Sequence, residues 1–198
     1  MGSESIVIGI SGNRPGCGKT EMSHAIYRAL NKKNVGAYLI SLASGLKELV
    51  ADYGESCGPM TDSREWKDKP HRFYSSKSNR EILVTVGSAV RKALPDFFAN
   101  RIRNFRYNNR NCSVPLVALV PDVRYLNEAK LCDLLVYVNR DPQLLNADES
   151  EEIWNDPGYQ ELGPDVFHNE GSFLDLESWA YSYVEEVVIP FMSTNNYN

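Results

Sequence analysis

The residues with the clearest capacity for chemistry are Gly16-Cys17-Gly18-Lys19-Thr20, which follow Ile8-Gly9-Ile10-Ser11-Gly12-Asn13-Arg14-Pro15. Glycines at this density let backbone N–H groups turn inward, and a helix starting at Lys19 adds partial positive charge at its N-terminus. Such a stretch suits an anion, and phosphate above all. Lys19 is long enough to reach β- and γ-phosphates, and the Thr20 hydroxyl can ligate Mg²⁺. Gly16 and Gly18 complete the cradle, with Cys17 as a spacer between glycines rather than a nucleophile. The usual spacing of such a loop, G-x-x-x-x-G-K-S/T, places a glycine at position 13. Here that position is Asn13, and Gly12 sits one place early. Asparagine tolerates left-handed backbone angles, so Asn13 is expected to adopt one and let the loop close.

A phosphate cradle of this kind needs an acid at the end of a neighbouring strand to organise Mg²⁺ or its water. Asp122, in Val120-Pro121-Asp122-Val123-Arg124, follows an apolar run and is the natural candidate. Ligands of open α/β sheets gather beyond the carboxyl ends of the strands. Capping the helix near residues 126–131 is the plainer role for Asp122, and the two are compatible.

These groups must be positioned by strands and helices, and the pattern supplies both. Short apolar runs at residues 5–10, 36–42, 115–120 and 133–138, with a weaker one at 165–168, predict five strands. The first four are nearly continuous, as in strands covered on both faces. Helical spacing follows at 19–33 (Met22, Ile26, Leu30), 44–53 (Leu46, Leu49, Val50), 80–94 (Ile82, Leu83, Val86, Val90) and 174–188. Strands alternating with helices predict an α/β fold, three layers around a mostly parallel five-stranded sheet. Residues 55–79 and 140–163 are polar or proline-interrupted, and connections this long point to functional inserts. Residues 193–198 are expected to fray.

Composition narrows the class. The chain has 198 residues, 42% of them hydrophobic, and a formal charge of −5. That suits one globular domain and argues against a sequence-blind nucleic-acid binder, which carries a basic surplus. Cys17, Cys57, Cys112 and Cys132 show no metal-ligand or disulfide spacing, which predicts a reducing, cytoplasmic setting. The apolar run near the N-terminus is too short for a signal core or a membrane span. His24, His71 and His168 lie at no spacing that suggests a triad or a ligand set. Phe97, Phe98, Phe105 and Tyr107 are expected to pack in the core.

Several blocks in order resemble the phage deoxynucleoside monophosphate kinases. The segment from Val120-Pro121-Asp122-Val123-Arg124 to Asn127-Glu128-Ala129, followed by a strand and Arg140, is similar to that family's DxR…NEA block. Ala43-Ser44-Gly45-Leu46-Lys47 resembles its segment after the second strand. Arg80-Glu81-Ile82-Leu83, continuing to Gly87-Ser88, resembles its R-x-x-L-x-x-x-G-S/T helix. His168-Asn169-Glu170-Gly171-Ser172 resembles its closing N-D/E-G-S/T turn.

The resemblance implies a P-loop kinase fold over residues 1–198, with a helical substrate-binding region at 44–107 and a lid-like segment at 140–163. It implies ATP as donor, Mg²⁺ as cofactor and a deoxynucleoside 5′-monophosphate as acceptor, in the host cytoplasm if phage-encoded, with a homodimer common in that family. Arg14, Gly16, Gly18, Lys19 and Thr20 would hold ATP. Lys47, Arg80, Gly87, Ser88, Asp122, Arg124 and Glu128 would face the acceptor, with Arg64 and Arg72 as further phosphate clamps. Lys19, Asp122 and Arg124 would carry the catalysis, and Thr20 and Asp122 the metal. Without the resemblance, Lys47 and Arg80 read as solvated helix surface and Ser88 as a packing residue. The family's His-x-S/T-E group is represented only by Asp148-Glu149-Ser150-Glu151, without histidine, and no arginine follows in 152–163. Either Arg124 and Arg140 do that work, or the acceptor differs from the usual one. Two other readings stay open: a kinase phosphorylating a hydroxyl of a modified base or nucleoside, and a nucleotide-binding protein without catalysis.

Overall fold

The computed structural model describes residues 5–51, 63–72, 74, 76–140 and 153–195. The Asp148-Glu149-Ser150-Glu151 group, residues 55–62 of the first irregular stretch and the end of the helix expected at 44–53 lie outside them. The chain divides into two compact units, Met1–Ser41 with Ala99–Asn198, and Leu42–Phe98.

The first unit is built on one sheet of strands β1 (Ile6–Gly12), β2 (Gly36–Leu39), β3 (Leu116–Pro121), β4 (Leu134–Asn139) and β5 (Asp165–His168). Their order is β2-β3-β1-β4-β5, and every pairing is parallel. All seven residues of β1 are buried, which explains its continuous apolar run. Because the chain leaves β1 towards β2 but enters β4 on the other side, the strand order reverses beside β1. Its carboxyl end therefore opens onto the kind of crevice where α/β ligands bind.

Helix α1 (Lys19–Lys32) buries Met22, Ala25, Ile26, Ala29 and Leu30, a single stripe at helical spacing. This stripe meets Ile8, Ile10, Val117, Leu119, Val136 and Val138 of the sheet and Leu176, Ala180 and Val184 from the C-terminal helices. Ala37 of β2 packs on that same cluster. Its neighbour Tyr38, pointing to the opposite face, meets Phe105 at 6.2 Å between ring centroids. Phe105 belongs to α5 (Asn100–Asn109). Helices thus cover both faces, and the fold is three-layer α/β, as the alternation of elements predicts.

The C-terminal helix departs from its expected end. Phe173–Tyr183 passes through a π-helical turn, Val184–Val188, into a last helix, Ile189–Asn195. Pro190 has no N–H to donate, and its ring crowds the carbonyl of Glu186, which lies in the widened turn. Residues 193–195 are helical rather than frayed, with Ser193 Oγ and Thr194 Oγ1 donating back to the carbonyls of Ile189 and Phe191, each at 2.9 Å.

The second unit contains α2 (Ser44–Ala51), α3 (Arg64–Asp68) and α4 (Asn79–Ala93). A capping box starts α4: Ser78 Oγ accepts from Glu81 N–H, and the Glu81 carboxylate accepts from Ser78 N–H. The turn before it is pinned by Asn79 Nδ2 donating to the Trp66 carbonyl at 2.9 Å. His71, with its ring nitrogen 3.2 Å from the Val50 carbonyl, serves packing. Of the aromatics expected in the core, Phe98 is buried, whereas Phe97 and Tyr107 are exposed. No helix among the described residues is long and apolar enough to cross a membrane.

Candidate functional site

The site grows from the end of β1. A Cβ on Gly12 would stand 2.4 Å from Cys17 Sγ and 2.7 Å from the Val138 carbonyl oxygen. Glycine is therefore required at 12 by close approach, one place before the usual motif position. Asn13 does not take the left-handed angle expected of it, because Asn34 and Asp122 alone do so among the described non-glycine residues. Its side chain works across the sheet instead. Asn13 Nδ2 donates to Asn139 Oδ1 at 2.9 Å and to the Arg140 carbonyl at 2.7 Å, and Asn13 Oδ1 accepts from Arg140 N–H. The loop entry is thus stapled to the end of β4.

From there the chain turns at Arg14, whose carbonyl accepts from Cys17 N–H at 3.3 Å and from Lys19 Nζ at 3.1 Å. Gly16 (φ 77°) and Gly18 (φ 113°) hold left-handed angles that glycine adopts at little cost. Helix α1 then starts with no side-chain cap, leaving its first N–H groups for another partner. Arg14 and Lys19 are buried, and Thr20 is exposed in the first turn.

Asp122 lies just past β3 with φ 77°. The N–H groups of Asp122 and Val123 both donate to the Ile10 carbonyl, at 2.8 and 2.9 Å, which brings the acid back to the loop. Asp122 Oδ1 is 3.7 Å from Lys19 Nζ, while Oδ2 takes the Arg124 guanidinium at 2.9 Å. Asp122 is thus shared between two cations. Glu128, expected to face a ligand, is only 1% exposed. Its carboxylate accepts from Arg124 N–H at 3.0 Å, so it builds the turn that presents Asp122 and Arg124.

Two contributors were not assigned from sequence, and a third, Arg140, meets the loop rather than standing in the lid role expected of it. Asn169, after β5, donates from Nδ2 to the Cys17 carbonyl at 2.7 Å. Arg140 donates to the Gly16 carbonyl at 3.3 Å. Tyr159, in α6 (Pro157–Glu161), is fully buried and hydrogen-bonded to Ser11, at the end of β1. Burial pushes the Tyr159 hydroxyl up to about 12, so it stays protonated. Part of the segment expected to act as a lid is thus packed against the sheet. The signal for Asn169 was its place in the closing turn; Tyr159 had none.

The structure brings together Arg14, Gly16, Cys17, Gly18, Lys19, Thr20, Asp122 and Arg124. Lys47, Arg64, Arg80, Gly87 and Ser88 belong to the second unit. There Arg80 Nε donates to Asp68 Oδ1 at 2.9 Å, and Ser88 is exposed. Gly87 is buried where a Cβ would come within 3.2 Å of Leu46 Cδ2, so it lets α4 approach α2. Arg64 opens α3, and Arg72 is exposed.

No group of three or more His, Cys, Asp or Glu that could hold a metal occurs among the described residues. The first turn of α1 offers the Thr20 hydroxyl, and the end of β3 offers the Asp122 carboxylate. That donor set fits Mg²⁺, which keeps waters and takes phosphate oxygens, and does not fit a caged ion.

The fold and site define a parallel α/β protein with a phosphate-type loop between its first strand and first helix. No protein-family model matches the sequence, and no curated protein matches it at a significant level. Similar solved structures include a mutant of the APS kinase CysC of Mycobacterium tuberculosis, 13% identical over 92% of this chain and 98% of that one, with a TM-score of 0.47. Another is the protein APE1195, 14% identical over 94% of this chain and 98% of that one, with a TM-score of 0.44.

Proposed function

We propose that the chain is an ATP-dependent phosphotransferase that converts a deoxynucleoside 5′-monophosphate to its diphosphate. The observation that carries the phosphotransferase reading is Lys19. Its buried ammonium lies 3.1 Å from the Arg14 carbonyl and 3.7 Å from Asp122, at the uncapped start of α1. The choice of acceptor rests on the ordered sequence blocks around Lys47, Arg80, Asp122 and Asn169.

Phosphoryl transfer asks for alignment and charge neutralisation more than for covalent help. The loop N–H groups and Lys19 hold the terminal phosphates of ATP. Mg²⁺, when bound beside Thr20 and Asp122, neutralises phosphate charge. Arg14 and Arg140 support the donor side of the loop. Arg124, steadied by Asp122, offsets repulsion between the donor and the incoming acceptor phosphate. Lys47, Arg64, Arg80 and Ser88 of the second unit are the candidates that the sequence blocks supply for the acceptor, with Gly87 shaping the helix that carries Ser88. That phosphate is already ionised at neutral pH, so Asp122 orients groups and need not act as a base.

Labelled ATP with a panel of deoxynucleoside monophosphates and nucleosides tests the reading. Lys19→Ala is expected to lower turnover by about 100-fold or more, the scale of losing one charge-stabilising donor. Turnover that survives Lys19→Ala, or a nucleoside phosphorylated in preference to every monophosphate, would overturn it.

A further inference from the structure

We propose that Asn169 is a positioning residue for the phosphate cradle, setting the plane of the Cys17–Gly18 peptide so that the Gly18 N–H faces bound phosphate. The inference rests on the phosphate-binding reading above and adds a residue to which nothing in the loop motif points.

Asn169 is 8% exposed, with each end of its amide engaged. Nδ2 donates to the Cys17 carbonyl at 2.7 Å, and Oδ1 accepts from Gly171 N–H at 3.0 Å. Only one orientation of the amide satisfies both contacts, since turning it over would set oxygen against oxygen. The backbone N–H of Asn169 donates to the Asn139 carbonyl at 2.7 Å, so the residue is anchored to β4 as well as β5.

A trans peptide is planar, and its C=O and N–H point in opposite directions. Holding the Cys17 carbonyl on Asn169 therefore aims the Gly18 N–H away from Asn169. Among the described residues no acceptor is found for that N–H. It stands next to the uncapped start of α1, so the two make one continuous set of donors. Gly18 must lack a side chain for this packing: a Cβ there would sit 2.7 Å from Asn169 Nδ2. Arg140 holds the carbonyl one peptide earlier, that of Gly16, but there the N–H of Cys17 already donates to the Arg14 carbonyl, so the Gly18 N–H is the one left for phosphate. Without Asn169 the Cys17 carbonyl is free to turn inward, where its partial negative charge would repel phosphate.

The test uses the full chain and Mg²⁺-pyrophosphate, a probe that needs the loop and no base or acceptor site. Asn169→Asp keeps the acceptor for Gly171 N–H but replaces the donor to Cys17. Asn169→Ala removes the donor without adding charge. Both are expected to raise the calorimetric Kd for pyrophosphate by about tenfold or more, the scale of one well-placed hydrogen bond to a charged group. The KM for ATP should rise with it, and the KM for the acceptor should stay near wild type. Pyrophosphate binding within about threefold of wild type in either folded variant overturns the proposal. So does an acceptor KM that rises as much as the ATP KM, because general loosening of the fold would move both. Wild-type protein that binds no pyrophosphate would instead overturn the phosphate-binding reading itself.

Discussion

Gly12→Ala separates steric need from backbone strain within one loop. Its new methyl would meet Cys17 Sγ at 2.4 Å, the Val138 carbonyl oxygen at 2.7 Å and Lys19 Cγ at 3.2 Å. Cys17 could give a little, but the Val138 carbonyl is tied into the sheet and the Asn13 staple. Forcing one carbon into a packed site costs about 1–3 kcal/mol, and contact with fixed backbone argues for the upper half, about 2–3 kcal/mol. For a chain of this size that lowers Tm by about 4–12 °C. Gly16→Ala is the internal comparison. Nothing lies within 4 Å of its Cβ, so only the φ of 77° opposes it, at about 1–2 kcal/mol. Denaturant unfolding of both variants, with and without Mg²⁺-ATP, is the assay. Gly12→Ala should be the less stable and should bind ATP more weakly, because its methyl presses on the stem of Lys19. A Gly12→Ala protein as stable as Gly16→Ala, with wild-type ATP affinity, would refute the steric reasoning.

Other outcomes follow from particular contacts. Asp122 holds φ 77°, so Asp122→Ala should be less stable than Asp122→Asn by about 1 kcal/mol, because asparagine tolerates the left-handed region better; denaturant midpoints decide it. Tyr159 is raised to about 12 by burial, so its contribution to stability is complete below its unfolded pKa of about 10 and is lost as pH rises from about 10 to about 12. Tyr159→Phe should flatten that alkaline decline and cost about 1 kcal/mol at neutral pH through the lost bond with Ser11, which unfolding titrations would record. Glu81 is lowered, first by the hydrogen bond from Ser78 N–H, so its contribution is present above its ordinary carboxylate range and lost as pH falls below it. Ser78→Ala should reduce that acid-side dependence and shorten protection of the first turn of α4 in hydrogen exchange.

Much of the glycine-rich loop was legible because its signals are local. A glycine-rich turn between an apolar strand and an amphipathic helix sets φ, exposes N–H groups and places Lys19 and Thr20 within a few residues. Asp122 could be found because strand ends in a parallel sheet converge on one edge. Residues that act across the sheet were misjudged. Asn13 was expected to bend its own backbone, yet it bonds to Asn139 and Arg140, more than a hundred residues away. Helix α5 went unrecognised because Asn100–Asn109 is polar and asparagine-rich, with Ile102 as its one buried side chain. Its place comes from Arg106, which reaches Asp133 at 2.7 Å.

By itself, then, the sequence determined the strand set, the phosphate-type loop and the acid that answers it, since each is written in neighbouring residues as a hydrophobic run or a turn. The tertiary structure alone decided how the loop is held. Gly12 is required by a carbonyl of β4, Glu128 is buried under Arg124, and Asn169 carries the Cys17 carbonyl from the end of β5. The Gly12 and Asn169 contacts join residues more than a hundred positions apart in the chain, so no local pattern records them. Glu128 lies only four residues from Arg124, and its burial comes from what packs around that turn.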